Sequence, residues 1–547
     1  MKSFRNKPFL NRDFSPRVGG IDYLGMRWVN LSILANYLIP GINNVTGDVG
    51  TYALGTWIAW KFRQLCGKNR KEFRESTFRQ FRESVEVCIS EVMKDGTSGT
   101  EAYGVCFDRM GGRQRLESYE SDRTFDSVGR SNSTSIYAAV QYGPSLRALR
   151  LHAGYALAPD GRATTIPLAA DDEDAQQIVA TVEDRLRCSQ HYPLIDALHP
   201  PPCGATDIDD LGVNGLHPGC YKNAGDEFAR AFLRKLCPDD VTNGRTLTAQ
   251  LAIETIRERP GLDAQQLRNV WYTGLLPGGT PLPAEGMRNS VGGQRSNWAL
   301  FMGRQYQRYI VELFMRCFEL ALDNGARSAS EAVEYAFGHL SSTVSKSSTF
   351  CELWHGEAER LGPDLSLDEA SQAWNEQVHS EHPLFEGALT GGEAQADDLD
   401  RAFSMLARWW IRTKAWLQDD SKTELLLLGG RDRMGVRWFH DWVAEREAES
   451  LAEMLHGVFS EIVFAQHLRI AISRLDGQSQ RLRFVLGDHG IEPTTGFAKK
   501  MGRGLPAWMQ DRLGSFLRML TDLQVVETTG DEYRPGSRCE WVGRGLV

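Results

Sequence analysis

A chain of 547 residues is long enough for two to four domains, each able to bury a real core. Hydrophobic content of 41% and charged content of 24% are ordinary for a soluble globular chain. The formal net charge of −9 argues against a protein that coats nucleic acid along its whole surface, but it leaves room for a local basic patch. The ten cysteines are scattered, and the opening MKSFRNKPFLNRDF has basic residues without an apolar run behind them. Free thiols in a reducing cytoplasm follow as the expectation, with no membrane span: the run Leu425–Leu428 is far too short for one.

Helical periodicity dominates. Residues 22–62 are apolar enough for a core but are interrupted by Pro40-Gly41, Asn43, Asn44, Thr46 and Gly47. They read as helix, turn, helix, with Leu31, Leu34 and Leu38 on one face and Leu54, Trp57, Ile58 and Phe62 on the second. The period continues through Phe78, Phe81, Val85 and Ile89. Residues 96–135 are Gly- and Ser-rich and read as irregular, 135–151 fit strand or helix, and 156–170 read as loop. Helices are expected over 172–188, where acids at 171–174 suit the positive end of the helix dipole, and over 225–236, 246–257 and 263–273. A Gly/Pro loop follows over 275–293, then helices over 298–324 and 328–341.

The polar, acidic stretch 387–400 reads as a linker. Beyond it a helix carries Phe403, Leu406, Trp409, Trp410, Thr413 and Leu417, and one long helix is expected over 438–475. Arg483–Leu486 reads as a strand, 506–523 as a helix, and 524–535 as a hairpin turning at Thr529-Gly530-Asp531. Helix followed by hairpin is the tail of a winged helix-turn-helix, although unrelated domains also end this way. The expected fold is therefore mainly α: a multi-domain helical protein with helical domains at 1–155, 156–386 and 387–547, the last ending in a winged-helix-like unit.

Three pairs of soft ligands fall in one stretch: Cys188 and His191, His199 and Cys203, His217 and Cys220. Zinc takes four N/S ligands, commonly as pairs two to four residues apart, so these six are candidate metal ligands. Against that, their order matches no zinc module and Pro200–Pro202 stiffen the middle pair, so a surface loop with incidental His and Cys competes. His379 and His382 precede Pro383 and read as a polar helix end. The acids Asp207, Asp209, Asp210 and Asp397, Asp398, Asp400 suit either Mg²⁺ or plain helix caps. The chain contains neither a G-x4-G-K-[ST] phosphate loop nor a G-x-S-x-G elbow. The sequence thus assigns no catalytic residue and no cofactor and leans away from an enzyme; ATP hydrolysis, if the task needs it, falls to a partner.

The basic run Lys61, Arg63, Lys68, Arg70, Lys71, Arg74, Arg79 and Arg82 faces only Glu72 and Glu75, with Phe62, Phe73, Phe78 and Phe81 interleaved. Such a face neutralises phosphates, and a solvated amphipathic helix is the competing account. A second set, Lys499, Lys500, Arg503 and Arg512, sits where a winged helix approaches DNA.

The pattern Asp22-x-Leu24-Gly25-x-Arg27, then Leu38-x-Pro40-Gly41, then Asn44-x-Thr46, then Trp57 and Trp60 resembles the opening of bacterial proteins from phage-defence islands. In size and helical character the chain is similar to accessory components of Druantia-type antiphage systems. The resemblance implies a cytoplasmic, non-enzymatic component of a multi-protein antiviral defence system. Its implied partners are the other proteins of the same operon, a large helicase among them, with DNA as a further contact. Two alternatives stay open: a metal-dependent nuclease or hydrolase effector, and a winged-helix DNA-binding regulator.

Overall fold

The computed structural model describes residues 22–42, 47–67, 73–93, 135–137, 142–158, 160–200, 205–240, 242–283, 289–377, 396–417, 428–473, 482–493 and 511–542. Among them the chain is mainly α, and its strands form three two-stranded antiparallel hairpins. No described helix is long and apolar enough to cross a membrane. The chain divides into two compact units, each drawn from three separated stretches. The first comprises Met1–Ile33, Arg268–Leu282 and Ser296–Met509; the second comprises Leu34–Leu267, Pro283–Arg295 and Gln510–Val547. These units do not follow the consecutive boundaries expected at 1–155, 156–386 and 387–547. Linker-like composition marks solvated chain and is blind to which distant stretches share a core.

The second unit is built on the helix Val49–Cys66, which is buried on nearly every face, Leu54, Trp57, Ile58 and Phe62 included. Asp48 caps it, its Oδ1 accepting from Thr51 N at 2.7 Å. Gly50 is required by close approach, since a Cβ there would lie 2.0 Å from the Pro218 carbonyl oxygen. The preceding turn is just as constrained. Helical backbone ends at Leu38, and such an end leaves carbonyls without partners. Gln294 Nε2 donates to Tyr37 O (2.7 Å), Thr248 Oγ1 to Leu38 O (3.0 Å) and Arg245 Nη1 to Pro40 O (2.6 Å). Gly41, at φ +80°, turns the chain against Ala148. Leu34 and Leu38 are core as expected, whereas Leu31 is 44% exposed.

Residues expected as loop form the hairpin His152–Leu157 with Ala163–Ala169. Its register shifts twice, and Gly154, Gly161 and Pro167 mask the strand signal in the sequence. At the C-terminal end the expected order holds, with helix Leu513–Asp522 followed by the hairpin Val526–Thr529 and Glu532–Pro535. The outer edge of that hairpin is paired: Tyr533 N donates to Leu262 O and Gly261 N to Tyr533 O, both at 2.9 Å.

In the first unit the helix Asn289–Asp323 contributes its length from Ser296 onward, packed by Asp398–Leu417. Trp409 Nε1 donates to Gly303 O at 2.8 Å, and Phe314 meets Phe403 edge-on. The single long helix expected over 438–475 is broken. Val436–Ala444 ends, and Leu451–Gly457 restarts behind a capping box in which Ser450 and Glu453 satisfy each other's backbone N–H. The chain then runs through a π-helical stretch, Val458–Ala465, into Gln466–Ser473. The apolar stripe from Leu451 to Val463 begins only after the break, which falls on the charged run 445–450.

Gly50→Ala is expected to lower stability by about 1–3 kcal/mol or more through backbone overpacking. Gly514→Ala, on a helix with open space around the new methyl, is expected to raise it by about 0.5–1 kcal/mol. Thermal unfolding of the intact chain, followed by circular dichroism, checks both.

Candidate functional site

The basic run divides into inward and outward residues. Phe78, Phe81, Val85 and Ile89 of the helix Glu75–Val92 are buried, while Arg74 and Arg79 are exposed. Arg63 is exposed and pairs with Asp171 at 3.0 Å. Arg162, on the loop of the first hairpin, joins this face. Glu75 lies between it and Arg79, held below the usual carboxylate range by hydrogen bonds from Thr165 and then by the two arginines.

Lys61 is a correction to the phosphate-binding set. It is 4% exposed, and its Nζ donates to Glu183 Oε1 (3.0 Å) and Tyr192 OH (2.5 Å) and meets Asp196 Oδ1 at 2.5 Å. Glu183 also accepts from Trp57 Nε1 at 2.8 Å and from the Tyr192 hydroxyl. Burial pulls the Lys61 ammonium down, but its bonds to Asp196, Tyr192 and Glu183 outweigh that and hold it above its ordinary value. A lysine that acts as a base needs the opposite shift, so this one is a permanent internal cation. The position was misread because Lys61 follows Trp57 by one helical turn and shares its inward direction. Arg82 likewise turns to Glu83 (3.1 Å) and Glu86 (3.3 Å), and Arg512 donates to the Ile42 carbonyl. Lys68, Arg70, Lys71, Lys499, Lys500 and Arg503 lie outside the described residues.

The Cys/His candidates are dispersed onto separate partners. The Cys188 thiol is exposed and donates to Asp184 O at 3.4 Å, and His191 Nδ1 is 3.0 Å from Asp207 Oδ1. His199 is exposed. His217 Nδ1 accepts from Gly219 N at 2.9 Å, capping the short turn Pro218–Tyr221, and Cys220 points its thiol at Gly212 O at 3.4 Å. Burial pushes the Cys220 thiol up, away from the thiolate a metal requires. Cys203, His379 and His382 lie outside the described residues. Among the described residues no group of three or more His, Cys, Asp and Glu is arranged to hold a metal ion. The acidic runs are occupied in the same way. Asp398 pairs with Arg316 at 3.3 Å, Asp397 with Arg401 at 2.9 Å, and Asp400 accepts from the backbone N–H groups of Ser342, Thr343 and Val344.

Sequence reasoning missed a pair of carboxylates at the start of the Val49–Cys66 helix. Asp48 and Asp522 are both buried, and Asp522 Oδ2 accepts from Val49 N at 3.3 Å. Burial, then the charge of Asp48, pushes the Asp522 carboxyl up to about 8, against the opposing pull of Lys222, the Val49 N–H and Arg518. His217, on the adjoining turn, is lowered by burial with Asp48 pulling the other way. Two carboxyls side by side, one of them pushed up, is an acid–base arrangement in form. Here both carboxylates are spent on the helix's first N–H groups. No periodicity signals such a pair, because 474 positions separate its members in the chain.

Comparison of the chain with models of protein families, with curated proteins and with solved structures gives no match.

Replacing Lys61 by Met is expected to cost about 3–5 kcal/mol, because it strands Glu183. Lys61→Met with Glu183→Gln is expected to recover part of that loss in a denaturant titration. For Asp522 the folded pKa lies above the unfolded one, so its contribution is fully present below about pH 4 and is lost as pH rises through about 8. The melting temperature is therefore expected to fall across that window. Asp522→Asn, which keeps an acceptor for Val49 N, is expected to flatten the fall.

Proposed function

We propose that this protein is a non-enzymatic component of a multi-protein antiphage defence system, acting in the cytoplasm by binding partner proteins and nucleic acid. The supporting observation is the outward arginine face of the second unit: Arg63, Arg74, Arg79 and Arg162 stand exposed above a helix whose phenylalanines are all turned inward. An amphipathic helix folded this way turns its charge to solvent, where affinity for phosphates is set by salt rather than by base sequence. The N-terminal pattern supplies the biological setting, and the helicase expected in the same operon supplies the nucleotide chemistry.

Affinity purification of the tagged protein from its own operon, at low salt, is expected to recover a helicase-sized partner that survives nuclease. Recovery of the protein alone under both conditions rejects the subunit reading. Arg74→Glu with Arg79→Glu is expected to reduce the slope of log affinity against log salt by about 1 for each phosphate no longer neutralised. An unchanged slope removes this face from the interface.

A further inference from the structure

In the second unit the C-terminal segment meets the start of the helix Val49–Cys66 through a carboxylate. The helix Leu513–Asp522 buries Leu513, Phe516, Leu517, Met519 and Leu520 and ends on Asp522, whose Oδ2 accepts from Val49 N at 3.3 Å. The main-chain carbonyl of Asp522 accepts from Asn223 N at 2.9 Å, so one residue holds two other stretches of chain. Gly47 passes against the same helix, where a Cβ would lie 3.2 Å from the Ser515 Cα. Val49 N is the first N–H of its helix; the third, that of Thr51, donates to Asp48 Oδ1 at 2.7 Å, as does the Thr51 hydroxyl at 3.0 Å. Two carboxyls thus share one helix start, Asp48 at 1% and Asp522 at 5% exposed.

They are unequally supplied with donors. Asp48 has the short pair from Thr51, whereas the Asp522 side chain has one longer bond from an amide. Among the described residues no cation forms an ion pair with Asp522. The two that face it, Lys222 on the neighbouring turn and Arg518 on its own helix, are exposed and reach it through the field alone. His217 faces Asp48 and Lys222 from the adjoining turn, and burial lowers it, so it brings no charge at pH 8. A buried carboxylate with one neutral donor and a second acid beside it is strongly disfavoured, while its protonated form costs little. The rise of Asp522 to about 8, caused first by burial and then by Asp48, agrees with this geometry.

We infer that a proton on Asp522 latches the C-terminal helix onto the start of Val49–Cys66, which makes this contact a pH-operated device of the second unit. Loss of the proton to solvent puts a second carboxylate charge at one buried helix start. The helix relieves it by opening, which brings Asp522 into water. The other anchors of the segment are of a different kind. Tyr533 joins Leu262 and Gly261 through main-chain bonds, and Arg538 donates to Ala224 O and Asp226 Oδ1. They keep the hairpin attached, so the opening is local to the helix and to the turn it caps. The fall of stability with pH is thereby assigned to one element of one unit. The latch is separate from the arginine face and stands whether or not that face binds nucleic acid.

The test is hydrogen exchange of the full chain, read by mass spectrometry from about pH 5 to about pH 9 and corrected for the intrinsic pH dependence of amide exchange. Opening of residues 511–523 and 47–56 is expected to rise by up to about tenfold per pH unit and to level off near about 8. Peptides from 298–323, in the first unit, are expected to stay level. Asp522→Asn, which keeps an acceptor for Val49 N and has no proton to lose, is expected to abolish the rise. Asp48→Asn, which keeps a cap for the helix, is expected to lower the pH at which the rise levels off. A level response of the unaltered chain overturns the inference, as does a rise that survives Asp522→Asn or appears equally in 298–323. A levelling pH that Asp48→Asn leaves in place overturns it too.

Discussion

The burial of the Val49–Cys66 helix on nearly all its faces is the constraint from which much of the second unit follows. Over its buried length such a helix has nowhere to leave an unpaired N–H or a lone charge, so each buried polar group it carries recruits a partner. Its first N–H groups take Asp48 and Asp522, from the two ends of the unit's sequence. Its lysine takes Glu183, Tyr192 and Asp196. Tyr137 donates back to the carbonyl of Gly55. These bonds join four stretches of chain to one rod, and they explain why the unit gathers sequence from so far apart.

The first unit solves the same problem with arginine. Its long central helix carries cations into the core at 304, 308 and 316, and each needs an answer from another segment. Arg316 receives a carboxylate; Arg304 receives two main-chain carbonyls from a turn bent for the purpose. A carbonyl dipole stabilises a guanidinium without cancelling its charge. That difference separates an ion pair from a cation held by main-chain dipoles.

Two distinct uses of positive charge therefore coexist in a chain whose total is −9. Arg63, Arg74, Arg79 and Arg162 are exposed and salt-screened. Arg304 and Arg308 are enclosed and weakly screened, held by main-chain carbonyls, Gln307 and Glu312. Asp207, Asp210, Asp397, Asp398 and Asp400 are tied down by hydrogen bonds and ion pairs, and Cys188, His191, His217 and Cys220 each have their own local partner.

The mainly α character, the helices 225–236, 246–257, 263–273 and 328–341 and the C-terminal hairpin were legible in the sequence to within a few residues, because each rests on local periodicity and turn chemistry. The hairpin at 152–169 was not, since its glycines and proline obscure alternation. The break at 445–450 was missed although its Ser450-x-x-Glu453 cap was in plain view, because Glu445, Arg446, Glu447 and Glu449 fit the wet face of a continuing helix equally well. The sequence by itself determined which stretches are helical and which residues have the chemistry to bind. Only the tertiary structure decided that Lys61 is an internal counter-charge, that Asp48 meets Asp522, and that Arg27 lies within electrostatic reach of Arg308. The physical reason is that a side chain's role is set by the field and solvent around it, and in this chain those come from segments hundreds of residues away.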